Sequence, residues 1–169
     1  MLAAGEDPRF VARRLLVTAA EDVGLADPRA LSVAVAAFQA LEFLGMPEAR
    51  IPLAEATLYV ATAPKSNSAA RGVDAALGAI AEGESHEVPP FLRMADPGKR
   101  DYIYPHLAPG HFRSDDYLPA ELRGRSFYVP GELGEEAAIA KRVRGALGRG
   151  RARDADPGEP PSLRDEDEK

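Results

Sequence analysis

The chain has 169 residues, no cysteine and a formal charge of −6 from 21 bases and 27 acids. That length suits one domain with a core of its own, and the missing thiols exclude disulfide frameworks, thiolate metal sites and cysteine nucleophiles. No apolar run approaches the roughly 20 residues that cross a bilayer and no basic start precedes a hydrophobic signal core, so no membrane partner is expected and the cytoplasm is the default compartment.

The first periodic stretch, "GEDPRFVARRLLVTAAEDVG", offers Asp7 as a helix cap, Pro8 at the first turn and Gly24 as a left-handed exit. The device repeats in "LADPRALSVAVAAFQALEFLG", with Asp27 as cap, Pro28 next and Gly45 as terminator. This second helix is apolar over most of its circumference (Leu31, Val33, Val35, Phe38, Leu41, Phe43, Leu44), which places it in the centre of a helical packing. A third helix, "LAEATLYVATA", opens at Pro52 and stops before Pro64, because a residue ahead of proline avoids the α region. The fourth, "SAARGVDAALGAIAEG", carries two internal glycines and ends at Gly83.

Between the third and fourth helices stands "PKSN". A lysine followed by serine raises the question of a phosphate-binding loop, but the residues ahead of Lys65 are Ala61, Thr62, Ala63 and Pro64. A phosphate cradle needs glycines whose N–H groups curl around the anion, and proline has no N–H to give. The corner is instead expected to cap the next helix with the Ser66 and Asn67 side chains, while Lys65 lies against the preceding carbonyls.

From residue 84 to 130 the periodicity fails, and prolines, tyrosines and histidines accumulate in an irregular arm whose aromatic content implies packing on something. A last amphipathic helix, "GELGEEAAIAKRVRGALG", has acids early and bases late, as the macrodipole prefers. The folded domain is expected over 1–148, with the polar stretch 149–169 as a disordered tail.

Several clusters invite chemistry. Glu21 and Asp22 are adjacent carboxylates, but neighbours on a helix point about 100° apart and fit ion pairing with bases better than an acid/base pair. Arg13 and Arg14 offer a weak anion site on a helix surface. His106, His111, Asp115 and Asp116 have metal-ligand chemistry without a defined ligand spacing. Lys65 and Ser66 as a nucleophile pair lack an oxyanion turn. Tyrosines interleaved with Arg100, Arg113, Arg123 and Arg125 suit stacking on single-stranded DNA, yet the same composition marks protein interfaces, which the acidic balance favours. The residues alone thus describe a helical, non-catalytic domain with a Tyr-rich arm suited to association.

The ordered series "MLAAGEDPRFVARRLLVTAAEDVGLADPRAL", "LGMPEARIPLAEATLYVATAPKSNSA", "VPPFLR", "YIYPH" and "DDYLPAELRGRSFYVP" resembles the C-terminal region of the replication-associated recombination proteins. That family, RarA or MgsA in bacteria and the Werner-helicase-interacting ATPase in eukaryotes, belongs to the clamp-loader clade of AAA+ ATPases. The resemblance implies an all-α bundle akin to the clamp-loader collar, with a long irregular Tyr/Pro-rich arm. It further implies a homotetramer of a DNA-stimulated ATPase that works with replication proteins and is associated with the nucleoid. ATP and magnesium would belong to an ATPase module whose Walker sequences do not occur here, so this chain is expected to be a non-catalytic C-terminal fragment with no cofactor of its own. The family positions matched include Asp7, Pro8, Arg13, Arg14, Glu21, Asp22, Lys65, Ser66, Asn67, Tyr104, His106 and Tyr117, with structural or interface duties; Glu21 and Asp22 are expected to pair with Arg13, Arg14 or Lys65. The chain departs from the family at Asp115 and Asp116, where a glutamine pair is common, and at Leu107, where an acid is usual.

Overall fold

The structure, a computed structural model, describes residues 1–83, 87–93, 106, 111 and 117–154, with 146–154 described as backbone only. The described residues form an all-α fold of five helices, with short 3₁₀ turns among their connections: α1 (Pro8–Thr18), α2 (Arg29–Leu44), α3 (Arg50–Thr62), α4 (Ser68–Ala81) and α5 (Glu136–Asp154). Several starts and stops have a local cause. The Arg9 N–H donates to Asp7 Oδ1 at 2.9 Å with Pro8 in the first turn, which satisfies a donor that the helix cannot use. Asp27 does the same for α2, accepting from the Arg29 N–H at 3.2 Å, and Gly45 closes that helix at a φ of +69°.

The α1 helix does not run unbroken to Gly24. After Thr18 it widens into a π-helical turn, Ala19–Val23, and then tightens into a 3₁₀ turn, Gly24–Ala26. This local rewinding redirects the chain into α2 and leaves the Asp22 carbonyl available to a partner outside the helix.

The core lies among α1, α2 and α3, and it is built largely from alanine. Ala30, Ala34, Ala37 and Leu41 form the buried stripe of α2, facing Ala12, Leu15 and Ala19 from the first segment and Leu53, Ala56 and Val60 from α3. Small side chains along a seam let helix backbones approach closely. The expectation for α2 is therefore corrected in detail. Of its large apolar residues Leu41 is buried and Val33 and Phe38 are half-buried, whereas Leu31, Val35, Phe43 and Leu44 are exposed. Two neighbouring helices cover only part of a helix circumference, and a helix greasy all round leaves the remainder uncovered. The outer faces of α3 (Ile51, Leu58) and α4 (Val73, Leu77, Ile80) are likewise exposed.

Within the arm, short 3₁₀ turns stand at Pro90–Leu92 and Ala120–Leu122, and the rings of Phe91 and Tyr117 lie 6.2 Å apart. The Phe127 carbonyl passes over Gly72 of α4, where a Cβ would sit 3.3 Å from its oxygen. Helix α5 is described through Asp154. No helix among the described residues is long and apolar enough to cross a membrane.

Candidate functional site

Lys65 sits where α3 ends, and its ammonium donates to three main-chain oxygens: Val60 at 2.6 Å, Ala63 at 2.7 Å and Ala61 at 3.3 Å. These are carbonyls that a helix C-terminus leaves without partners, at the negative end of its dipole, so the lysine serves as a cap. An ammonium placed in this way has its three donors committed to main-chain oxygens. On the other side, Ser66 Oγ accepts the Ser68 N–H at 3.3 Å and starts α4. The side chain of Asn67 makes no such bond, so serine alone does the work expected of both.

The corner is also the point where distant segments meet. The Ser66 N–H donates to the Asp22 carbonyl at 2.8 Å, which ties "PKSN" to the π-helical turn. A Cβ on Gly24 would fall 2.7 Å from the Ser66 carbonyl oxygen, and the φ of +49° there also excludes ordinary side chains, so glycine is required twice over. The start of α5 docks on the same joint. The Glu135 N–H donates to the Ala26 carbonyl at 2.8 Å, and Gly134, at a φ of +57°, leaves no room for a Cβ against that oxygen or the Pro64 ring.

Two buried carboxylates clasp this joint. Asp27 accepts from Arg29 Nε at 2.8 Å and from the Tyr59 hydroxyl at 2.8 Å. The Arg29 guanidinium, helped by the Tyr59 hydroxyl, holds the Asp27 carboxyl below its ordinary value against the opposing effect of burial. Arg29 also reaches Glu135 at 3.4 Å, connecting α2 with α5. Glu136 is wholly enclosed, and its Oε1 accepts from the Ser68 and Tyr128 hydroxyls, the latter at 2.9 Å. Its Oε2 makes no hydrogen bond of ordinary geometry and lies against Gly131, near Ser66. Burial by itself would push the Glu136 carboxyl up, but the hydroxyls of Ser66, Ser68 and Tyr128 and the Gly131 N–H outweigh it and hold the group below its ordinary value.

A groove of about 700 Å³ opens beside the corner, with Val11, Leu15, Val60 and Ala61 as apolar lining and Arg14, Asp22, Lys65, Ser66 and Asn67 as polar lining. Five of the residues singled out from the sequence are thereby brought together. Asp7 and Pro8 stand apart at the start of α1, and Arg13 and Glu21 are exposed outside the groove. The expected ion pairs do not form. Lys65 is committed to carbonyls, and neither Glu21 nor Asp22 has a salt bridge among the described residues, Asp22 acting through its backbone. In the arm, His111 Nδ1 lies 3.1 Å from the His106 carbonyl, while Tyr104, Leu107, Asp115 and Asp116 lie outside the described residues. No group of three or more metal-ligating side chains occurs among the described residues. The buried pair Asp27 and Glu136 was not singled out by sequence reasoning. "GELGEE" presents adjacent acids, and nothing in their order says which one turns inward.

The joint is thus built from helix caps and from hydrogen bonds between segments distant in the chain, with an adjoining groove. Residues 1–146 match the profile of the family described as MgsA AAA+ ATPase C terminal. An uncharacterized AAA domain-containing protein of Mycobacterium tuberculosis is 45% identical over 150 residues, covering 85% of this chain and 33% of that protein. Replication-associated recombination protein A is 40% identical over 144 residues in Bacillus subtilis (81% of this chain, 34% of the relative) and 38% over 152 residues in Escherichia coli (85% and 34%). The chain spans about a third of the length of these three relatives. With its all-α fold and with nearly all of its helical body inside the match, the chain belongs to the MgsA AAA+ ATPase C-terminal family.

Proposed function

We propose that this chain is a self-association module for an AAA+ ATPase that acts in replication and recombination, and that it brings ATPase modules into a closed homotetramer. The observation that carries the reading is the amount of large apolar surface left outside a core already closed by alanine. Phe43 is 89% exposed, Ile51 and Leu58 66% each, and Val73, Leu77 and Ile80 between 56% and 61%. Large apolar side chains left exposed on three helices mark surface that a partner can cover, and identical chains cover such surface most simply in closed symmetric assemblies. The names of the relatives support the setting: replication-associated recombination proteins in bacteria and ATPase WRNIP1 in Dictyostelium discoideum.

The work of such a module is avidity. Joining ATPase modules raises their effective concentration to about the millimolar range, so that weak contacts between modules and with DNA become productive together. ATP and magnesium would be held by those modules and not by the Lys65 corner, whose lysine is already spent. Multi-angle light scattering of the purified chain tests the reading, with a tetramer expected. A well-folded chain that stays a single subunit at high concentration overturns it.

A further inference from the structure

Helix α5 carries the most concentrated positive charge in an otherwise acidic chain. Between Glu136 and Asp154 it holds Lys141, Arg142, Arg144, Arg149, Arg151 and Arg153 and no acid at all. Arg142, Arg149 and Arg153 stand at i, i+7 and i+11, positions that a helix stacks along one stripe. Lys141, Arg142 and Arg144 are exposed, and none has a hydrogen bond or ion pair among the described residues. By contrast Arg9, with Nε 2.8 Å from Glu42, and Arg29 on Asp27 have partners. A row of like charges within one helix repels itself, so the exposed bases Lys141, Arg142 and Arg144, continued in sequence by Arg149, Arg151 and Arg153, suit a polyanion.

The sequence supplies one in cis. From Asp154 onward, "DADPGEPPSLRDEDEK" carries seven carboxylates, four of them consecutive at 165–168, against Arg164 and Lys169. Its composition includes Pro157, Gly158, Pro160 and Pro161, residues that favour a change of direction. The distances permit a return. The helix from Lys141 to Asp154 is about 20 Å long at 1.5 Å per residue, and the chain from Asp154 to Asp165 reaches up to about 36 Å when extended. Tethering at one end gives the tail an effective concentration of about millimolar order, so individually weak surface ion pairs act together.

We infer that the basic face of α5 that begins with Lys141, Arg142 and Arg144 is a docking surface for the chain's own acidic segment 165–168, an electrostatic clasp that competes with external polyanions for the same cations. The inference goes beyond the self-association reading and does not depend on it.

Zero-length cross-linking of the full chain tests it. A water-soluble carbodiimide condenses a carboxyl with the Lys141 amine, forming an amide while the water removed converts the carbodiimide to its urea. Peptide mapping should find Lys141 joined to residues 165–168 at about 10 mM salt, where the Debye length is near 30 Å, and about five-fold less at 1 M, where it is near 3 Å. Arg142→Gln with Arg144→Gln should lower the yield similarly and leave the mass by light scattering unchanged, which separates this inference from the assembly reading. Mixed light and heavy isotope-labelled chains report whether the link lies within one chain. The inference is overturned by a missing link, by a salt-insensitive link, or by one that joins two chains. It is also overturned if a labelled single-stranded oligonucleotide binds α5 with the same affinity before and after Asp165→Asn, Glu166→Gln, Asp167→Asn and Glu168→Gln, since a clasp must compete.

Discussion

The Lys65 ammonium, held by three carbonyl oxygens, makes a side chain with catalytic associations into a helix stop. Lys65→Met should therefore cost about 1–2 kcal/mol of stability, the worth of hydrogen bonds from a charged group, seen as a lower urea midpoint. Gly134→Ala should cost more, of the order of 2–3 kcal/mol or loss of folding, because the added Cβ meets the Ala26 carbonyl at a φ that already strains an L side chain. The buried acids give a pH dependence. Folding holds the Asp27 and Glu136 carboxyls below their ordinary values of 3.8 and 4.5, so the unfolded chain takes up protons first as the solution becomes acid. Their contribution is complete above those values and is lost as pH falls through the folded ones. Glu136→Gln should be less stable at neutral pH by about 1–3 kcal/mol, yet should decline less steeply in acid; urea midpoints between about pH 3 and 7 measure both. An unchanged acid slope would remove Glu136 from this account.

At the scale of elements, α2 has two apolar faces with different duties. Its alanine face sets how closely α1 and α3 approach, while Leu31, Val35, Phe43 and Leu44 are exposed away from that seam. Ala34→Leu should overpack the seam and cost about 1–3 kcal/mol. Phe43→Ser, at an exposed position on the same helix, should change the stability of a dilute chain by no more than about 0.5 kcal/mol. Denaturant midpoints at low protein concentration distinguish the two; equal losses would mean that the outer face is part of the fold itself.

For the whole molecule, self-association links stability to concentration. If copies cover the faces of α2, α3 and α4 for one another, Tm should rise with protein concentration, since assembly stabilises only folded chains. Leu77→Glu with Ile80→Glu should abolish that rise while leaving the dilute Tm within a few degrees, because both side chains are exposed on α4. Calorimetry over a wide concentration range reads both quantities. A Tm independent of concentration in the unaltered chain would contradict the assembly.

The helix starts at Asp7 and Asp27, the stop before Pro64, the Lys65 cap and the all-α class were legible in the sequence because each follows from neighbours within a turn or two: a side-chain oxygen near free N–H groups, a ring that forbids a dihedral, a charge at a dipole's end. The family was legible in the order of long motifs. The alanine seam was not, since a helix apolar all round does not say which stripe its neighbours take. The joint of Asp22, Ser66, Ala26 and Glu135 and the burial of Glu136 were hidden too. Those contacts join residues far apart in the chain, and only the packing of α4 and α5 against the π-helical and 3₁₀ turns decides which donors and carboxylates meet.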